Sequence, residues 1–450
     1  MAQVKSYLPS IILLGSILFL WIMRWDSLTL PYFWDEMGVY GNGVQYLYKN
    51  GIGILPHSLP PELSRGHPLF FYTLHASVLK VFGNSLFVSH SFSLLISSLT
   101  LISTYLLAKE FMPKIVAAGC VVLLLSQPIF MAQSGLVIPE MAIALISTLA
   151  ILSFLKKEYL ISALLLCTGV MIKESVILVA AFLGFICLLQ LLRTKQLMKS
   201  LTRLLIFTLP LFVFLIFLLI QKSQHGWYFF PYHTDIIQEG AFSGFWERLE
   251  LHYKFMFFKQ GRNQWLIAGV LSVLSIAFYK NSKKLGLLLA FFIVNLLVFS
   301  FAFYMDRYLL YLFPILVVIV GTGLYFISFK NPLISLLLLL LLSAFSLREL
   351  SDPSFRYDVS LAYEDVVQVQ QDAADYLCDL PEEEISYQAN FPVNMSLWGP
   401  SFGYLSEACL EKLKPKESAP EYRILFMQED ENMTLIHSIK KNDAIINIYN

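Results

Sequence analysis

Eleven apolar stretches run through the first 347 residues of this chain, near 8–24, 84–108, 115–131, 138–155, 160–172, 175–192, 204–221, 265–279, 285–304, 308–328 and 332–347. A helix crossing a ~30 Å hydrocarbon core needs roughly 20 residues. The stretches therefore predict membrane-spanning helices, with 160–172 the shortest. Composition agrees: of 450 residues 57% are hydrophobic and only 14% charged, and mean hydropathy is +0.65. That leaves too little polar surface for a soluble protein. The expected fold class is an α-helical polytopic membrane protein of about 11 transmembrane helices with a small C-terminal α/β extracytoplasmic domain. A formal net charge of zero gives no reason to expect a nucleic-acid partner.

Basic residues in the short connections set the orientation. The first apolar run is followed by Arg24-Trp25-Asp26 rather than by a small-residue cleavage site, so it reads as an uncleaved span. With the N-terminus in the cytoplasm, the inner connections are Lys109–Lys114, Lys156–Lys157, Arg193–Arg203, Lys280–Lys284 and Lys330, and Arg193–Arg203 alone holds four Lys or Arg. The outer connections after the third and ninth spans are nearly free of them. Merging 160–192 into one helix would invert everything downstream and would need a rod of about 50 Å at 1.5 Å per residue. Two helices are therefore expected there, although "IKES" offers no Gly or Pro to mark the turn.

Three stretches are expected to stand on the outer side. Residues 26–83 form a first loop, 222–263 a second with the aromatic run "GWYFFPYH", and 348–450 a tail. In the tail "YEDVVQVQQDAADYLCDL" reads as an amphipathic helix, and "RILFM" and "AIINIY" as strands. The domain division is thus 1–347 and 348–450. Of five cysteines, Cys120, Cys167 and Cys187 sit in apolar runs as packing residues. Cys378 and Cys409 lie in the tail and can pair only if it faces an oxidising compartment.

Ionisable residues near membrane depth are costly, so those present are functional or paired. The predicted topology puts a set of them on one face: Asp35 and Glu36, Arg65 and His67, Glu140, Lys173 with Glu174, and Asp306 with Arg307. An acid beside several cations at a bilayer surface suits one task. It accepts a proton from a nucleophile while positive charge holds a phosphate leaving group. Each residue also has a plainer reading. Asp35 suits a helix N-cap, and Glu36 a solvated or paired carboxylate. Lys173-Glu174 suits an exposed turn, Arg307 an interfacial anchor, and His67-Pro68 a helix start. The aromatic run suits either a substrate wall or an interfacial belt. No HExxH, CxxC, GxSxG or Walker motif occurs.

In order along the chain, "FWDEMGVYGNGVQYLYKNG", "RGHPLFFYTL", "PEMAIALISTLAIL", "GVMIKES" and "DRYLLYLFP" resemble the GT-C membrane glycosyltransferases. The nearest branch is that of the protein O-mannosyltransferases and lipid A aminoarabinose transferases, and the resemblance covers roughly residues 8–330. It implies transfer of a sugar from a polyprenyl-phosphate donor to a lipid, glycan or protein acceptor outside the cytoplasm. Asp35 then matches the family's loop-one base, Glu36 its neighbour and Glu140 the second acidic position. Lys173 and Arg307 match basic positions facing the lipid phosphate, with Arg65, His67 and Tyr308 beside them. The family usually has two prolines after the basic or histidine residue, where this chain has His67-Pro68-Leu69, and that weakens the match at His67. A divalent metal ion between Asp35 and Glu140 is left open, as are the sugar, the acceptor and any role for the tail. The resemblance further implies a multi-pass protein of a bacterial inner membrane with its site and tail on the outer face. Two rivals from other classes are a transporter or flippase of lipid-linked saccharide, and a non-catalytic envelope scaffold.

Overall fold

The computed structural model describes residues 2–193, 196–240, 244–275, 282–302, 305–354, 356–418 and 420–450. Each of the eleven apolar stretches carries a helix within its described residues. Among the described residues seven helices are long and apolar enough to cross a membrane: Tyr7–Arg24, Leu86–Ala108, Glu174–Arg193, Leu197–His225, Lys283–Phe301, Asp306–Ile327 and Pro332–Ser351. The other four stretches carry the shorter helices Lys114–Leu125, Glu140–Leu155, Tyr159–Ile172 and Trp265–Ser275. The chain is an integral membrane protein. Two details refine the expectation. The stretch 115–131 is broken after Leu125 and resumes at Pro128, whose ring cannot donate to the preceding turn. At 160–192 the two expected helices are present, separated by extended Lys173 and the 3-10 turn Glu174–Val176.

The helix Leu86–Ala108 packs through small hydroxylic residues. Ser97, Ser98, Thr100 and Thr104 return their hydroxyls to carbonyls four residues back, which lets neighbours approach closely. The side chain of Trp21 donates to Ser98 across 3.0 Å and fixes the first helix against it.

The first outer stretch is not a loose loop. Helices Tyr40–Asn50 and Phe70–Phe82 fold it into a layer whose core residues Tyr32, Met37, Val44, Leu47 and Tyr72 are fully buried. The tail helix Tyr363–Asp379 lies on a five-stranded sheet of order β2-β1-β3-β5-β4. Its strands are β1 (Ile385–Ala389), β2 (Leu413–Pro415), β3 (Tyr422–Phe426), β4 (Leu435–Lys441) and β5 (Ala444–Tyr449). β1 runs parallel to β2 and β3, while β5 is antiparallel to β3 and β4. The two strands expected from sequence pair with each other, with Ile424 opposite Ile448 and Phe426 opposite Ile446. Cys378 and Cys409 are disulfide-bonded, their Cα atoms 5.4 Å apart.

The tail is seated on the membrane unit by polar contacts. Arg24, buried at the end of the first helix, donates to Glu364 and Tyr363. The Tyr32 N–H donates to the Phe402 carbonyl at 2.9 Å, and the Tyr404 hydroxyl to the Tyr32 carbonyl at 3.0 Å. Removing one partner of such a buried charge leaves the other uncompensated, which typically costs ~3–5 kcal/mol. Residues 356–362, which lead into this unit, are tied to the helical part by Gln133 and Gln260, which donate to the Asp358 and Val359 carbonyls.

Candidate active site

A cavity of ≈ 650 Å³ opens between the loop-one layer, the ends of several helices and residues 229–234 of the second connecting stretch. Its size suits a small ligand or the head of a larger one. One end is charged and is lined by Asp35, Arg65, His67, Glu140, Lys173, Glu174 and Arg307, with Tyr308 beside them. The flank is apolar, with Phe214, Leu218, Phe229, Phe230 and Phe299.

Local backbone explains how the acidic pair is divided. Trp34 adopts φ 49 with ψ −111, a positive-φ conformation that a bulky residue rarely takes, and turns the chain sharply into the single helical turn Asp35–Gly38. Successive side chains on such a turn point about 100° apart, so Asp35 and Glu36 cannot share a direction. Asp35 faces the cavity. Glu36 is 1% exposed and points inward, accepting from the Phe33 N–H at 2.8 Å and the Val137 N–H at 2.6 Å. His90 Nε2 lies 3.2 Å from Oε1, the oxygen that Val137 also reaches. The catalytic role expected for Glu36 is not what the geometry offers: its oxygens are spent on holding loop one to the helix bundle.

Arg307 sits on the 3-10 turn Asp306–Leu312, just before the helix Phe313–Ile327. Its guanidinium donates to Asp35 with one terminal nitrogen and to Asp358 with the other. Its Nε lies 3.7 Å from Glu140 Oε1, in ion-pair but not hydrogen-bonding range, and has no hydrogen-bond partner among the described residues. Glu140 opens the helix Glu140–Leu155, where the helix dipole favours a carboxylate. It accepts from Lys173 Nζ at 2.7 Å. Lys173 is held in extended backbone between its two helices, with its ammonium 4.0 Å above the Tyr308 ring. His67 Nδ1 is 3.0 Å from Glu174, and its ring stacks on Tyr40 at 6.0 Å. Arg65, left-handed at φ 47, caps the short helix Pro61–Ser64 and reaches into the same end.

Two outer carboxyls are pushed in opposite directions. At Asp35 burial acts upward, but Arg307, with Arg65 and Lys173, outweighs it and holds the acid below the usual range. At Asp358 burial prevails over Arg307, helped by Asp35 and Glu140, and the acid is raised.

The structure therefore brings Asp35, Glu140, Arg65, His67, Lys173, Arg307 and Tyr308 to one cavity and leaves Glu36 outside it. It also supplies partners and placements that sequence reasoning left open or missed. Glu174 was visible only as a neighbour of Lys173, and its partner is His67. His233 belongs to the aromatic run, four of whose members (Phe229, Phe230, Tyr232 and His233) line the cavity. Asp358 carried no signal, lying in a tail segment far from every motif.

A divalent ion held by Asp35 and Glu140 does not fit these residues. Each carboxylate already holds a cationic side chain, and among the described residues no three His, Cys, Asp or Glu groups converge as ligands.

No family model matches the sequence, and no curated protein sequence matches it. Solved structures do. ArnT from Cupriavidus metallidurans in the apo state superimposes with a TM-score of 0.59 at 12% identity, over 100% of this chain and 98% of that one. ArnT bound to undecaprenyl phosphate gives 0.55 at 11%, over 98% and 97%. The Archaeoglobus fulgidus oligosaccharyltransferase, in complex with Zn and sulfate, gives 0.55 at 15%, over 90% of this chain and 62% of that one. At these identities the likeness establishes the fold, which this chain shares with ArnT and with the oligosaccharyltransferase. It extends through the C-terminal unit in the ArnT comparison, since that match spans the whole chain.

Proposed function

We propose that this protein is a membrane glycosyltransferase that moves a sugar from a polyprenyl-phosphate donor to a hydroxyl of an extracytoplasmic lipid, glycan or protein, with inversion. The observation that carries this reading is the placement of Asp35 against Arg307 in a cavity that is charged at one end and apolar along its flank. Such a pocket accommodates a phosphate head and the first isoprene units together. The structural neighbour ArnT binds undecaprenyl phosphate.

In the step proposed, Asp35 accepts the proton of the acceptor hydroxyl as its oxygen attacks the anomeric carbon. The bond from that carbon to the phosphate oxygen breaks, and its electron pair leaves with the polyprenyl phosphate. Arg307 is bound to Asp35 before the reaction. As negative charge grows on the leaving phosphate, the guanidinium is drawn toward it, and Asp35 becomes a stronger base when it has to take the proton. Lys173 adds positive field, and Arg65 reaches the same end, where its charge also acts on Asp35. Positioning and charge stabilisation thus supply most of the catalysis.

The disulfide Cys378–Cys409 supports an outer-face location for the C-terminal unit, because such bonds persist in oxidising compartments. A transporter would place its ionisable residues near mid-membrane, whereas the cavity's charges collect at its outer end in the proposed orientation.

The test is transfer of labelled sugar from polyprenyl-phosphate donors in detergent, by the native protein and by Asp35→Asn. Transfer by the native protein that the variant lacks supports the reading. A native protein that transfers from no such donor and does not bind polyprenyl phosphate overturns it.

A further inference from the structure

We infer that Asp358, supplied by the segment between the last long apolar helix and the C-terminal unit, is a positioning residue that holds the Arg307 guanidinium for the transfer step. The inference rests on the glycosyltransferase reading of the cavity.

Asp358 does not line the cavity. It stands behind Arg307 and takes one terminal nitrogen of the guanidinium, leaving the other for Asp35. A planar guanidinium held at one corner has its remaining donors fixed in direction. Here those donors are the nitrogen on Asp35 and the Nε, which has no hydrogen-bond partner among the described residues and lies 3.7 Å from Glu140 Oε1. Buried polar atoms left without partners at a cavity wall are where a ligand oxygen can bind.

Asp358 is not needed to seat its own segment. The backbone there is anchored by two buried glutamines: Gln133 donates to the Asp358 carbonyl at 2.6 Å and Gln260 to the Val359 carbonyl at 2.8 Å. The carboxylate is free for Arg307. The charged groups facing it are Arg307 from the 3-10 turn, Asp35 from loop one and Glu140 from the helix Glu140–Leu155. Deleting its charge would strengthen the hold of Arg307 on Asp35 and so lower the proton affinity of that acid.

A double-mutant cycle of Asp358→Asn and Arg307→Lys in the detergent transfer assay tests this. Asp358→Asn should lower kcat about tenfold with little change in the donor KM, as loss of a transition-state interaction does. The acid limb of its pH–rate profile should move to lower pH. The double variant should be no worse than Arg307→Lys alone. A purely structural role would leave the acid limb in place and make the two losses multiply. Asp358→Glu keeps the charge and should restore both the acid limb and most of kcat. It takes the place of Asp358→Asn in the cycle if that protein is not monodisperse. Independent losses, or an Asp358→Asn protein with native kcat and acid limb, overturn the inference while native transfer still upholds the reading beneath it. A native protein that neither transfers sugar nor binds polyprenyl phosphate removes both.

Discussion

The Arg307 guanidinium donates to the Asp35 carboxylate across 272 positions of sequence, joining the start of a late helix to the short turn Asp35–Gly38 of loop one. Both side chains are ionised and largely withdrawn from water, so each makes the other tolerable at that depth. The pair also sets the resting state of the proposed reaction. The acid is charged, and the cation that will meet the phosphate is already in place.

Asp35→Asn should lose about 10²–10⁴-fold in turnover, the usual worth of general-base help. Arg307 keeps its bond to Asp358 in that variant, so elution from a sizing column and thermal melting should match the native protein. Near-native transfer by Asp35→Asn would remove it from the mechanism.

The pH dependence follows from the same pair. Asp35 must be ionised to accept a proton, so activity is present above its folded pKa and fails as pH falls through it. Arg307 holds that pKa below the ordinary carboxylate value of 3.8. The acid limb should therefore lie below that value in native protein and rise in Arg307→Gln, which retains fewer cations near Asp35. A limb that stays in place in Arg307→Gln would contradict the assignment.

His233 gives a stability prediction of opposite character. Burial, reinforced by repulsion from His67, Arg65 and Lys173, lowers its pKa from 6.5 to about 4. Between these values the unfolded chain binds a proton that the folded chain refuses, so stability falls as pH drops from 6.5 toward 4 and then levels. Melting temperatures in detergent should show this slope, and His233→Gln should flatten it. An identical slope in the variant would place the effect elsewhere.

The disulfide closes a loop of 31 residues between the tail helix and the short helix Glu407–Lys412. Cys378→Ser should destabilise the C-terminal unit by ~2–4 kcal/mol. Denaturant unfolding with and without reductant measures it: reductant should reproduce the loss in native protein and do nothing further to the variant.

Chelation is a separate check. With Asp35 on Arg307 and Glu140 on Lys173, the two acids have no shared site to offer a divalent ion. EDTA should leave the rate of transfer unchanged. Loss of activity that an added divalent cation restores would show that these ion pairs open in the working enzyme.

The helices were legible because their signal is local. A run of apolar residues has a length, and that length meets the thickness of a bilayer wherever the rest of the chain goes. The loop-one acid pair, the cationic positions and the strands "RILFM" and "AIINIY" could be picked out the same way, each from a few contiguous residues. The sequence by itself therefore determined the class of protein and nearly all the candidates for its site. It named Asp35 as the base through a resemblance, but it could not show that Glu36 turns inward, because that depends on the backbone at Trp34 and on what packs around the turn. Nor could it find Asp358 or pair Glu174 with His67. Ion-pair partners are chosen by proximity in space, and only the folding of the tail back over the helix ends brings Asp358 to Arg307.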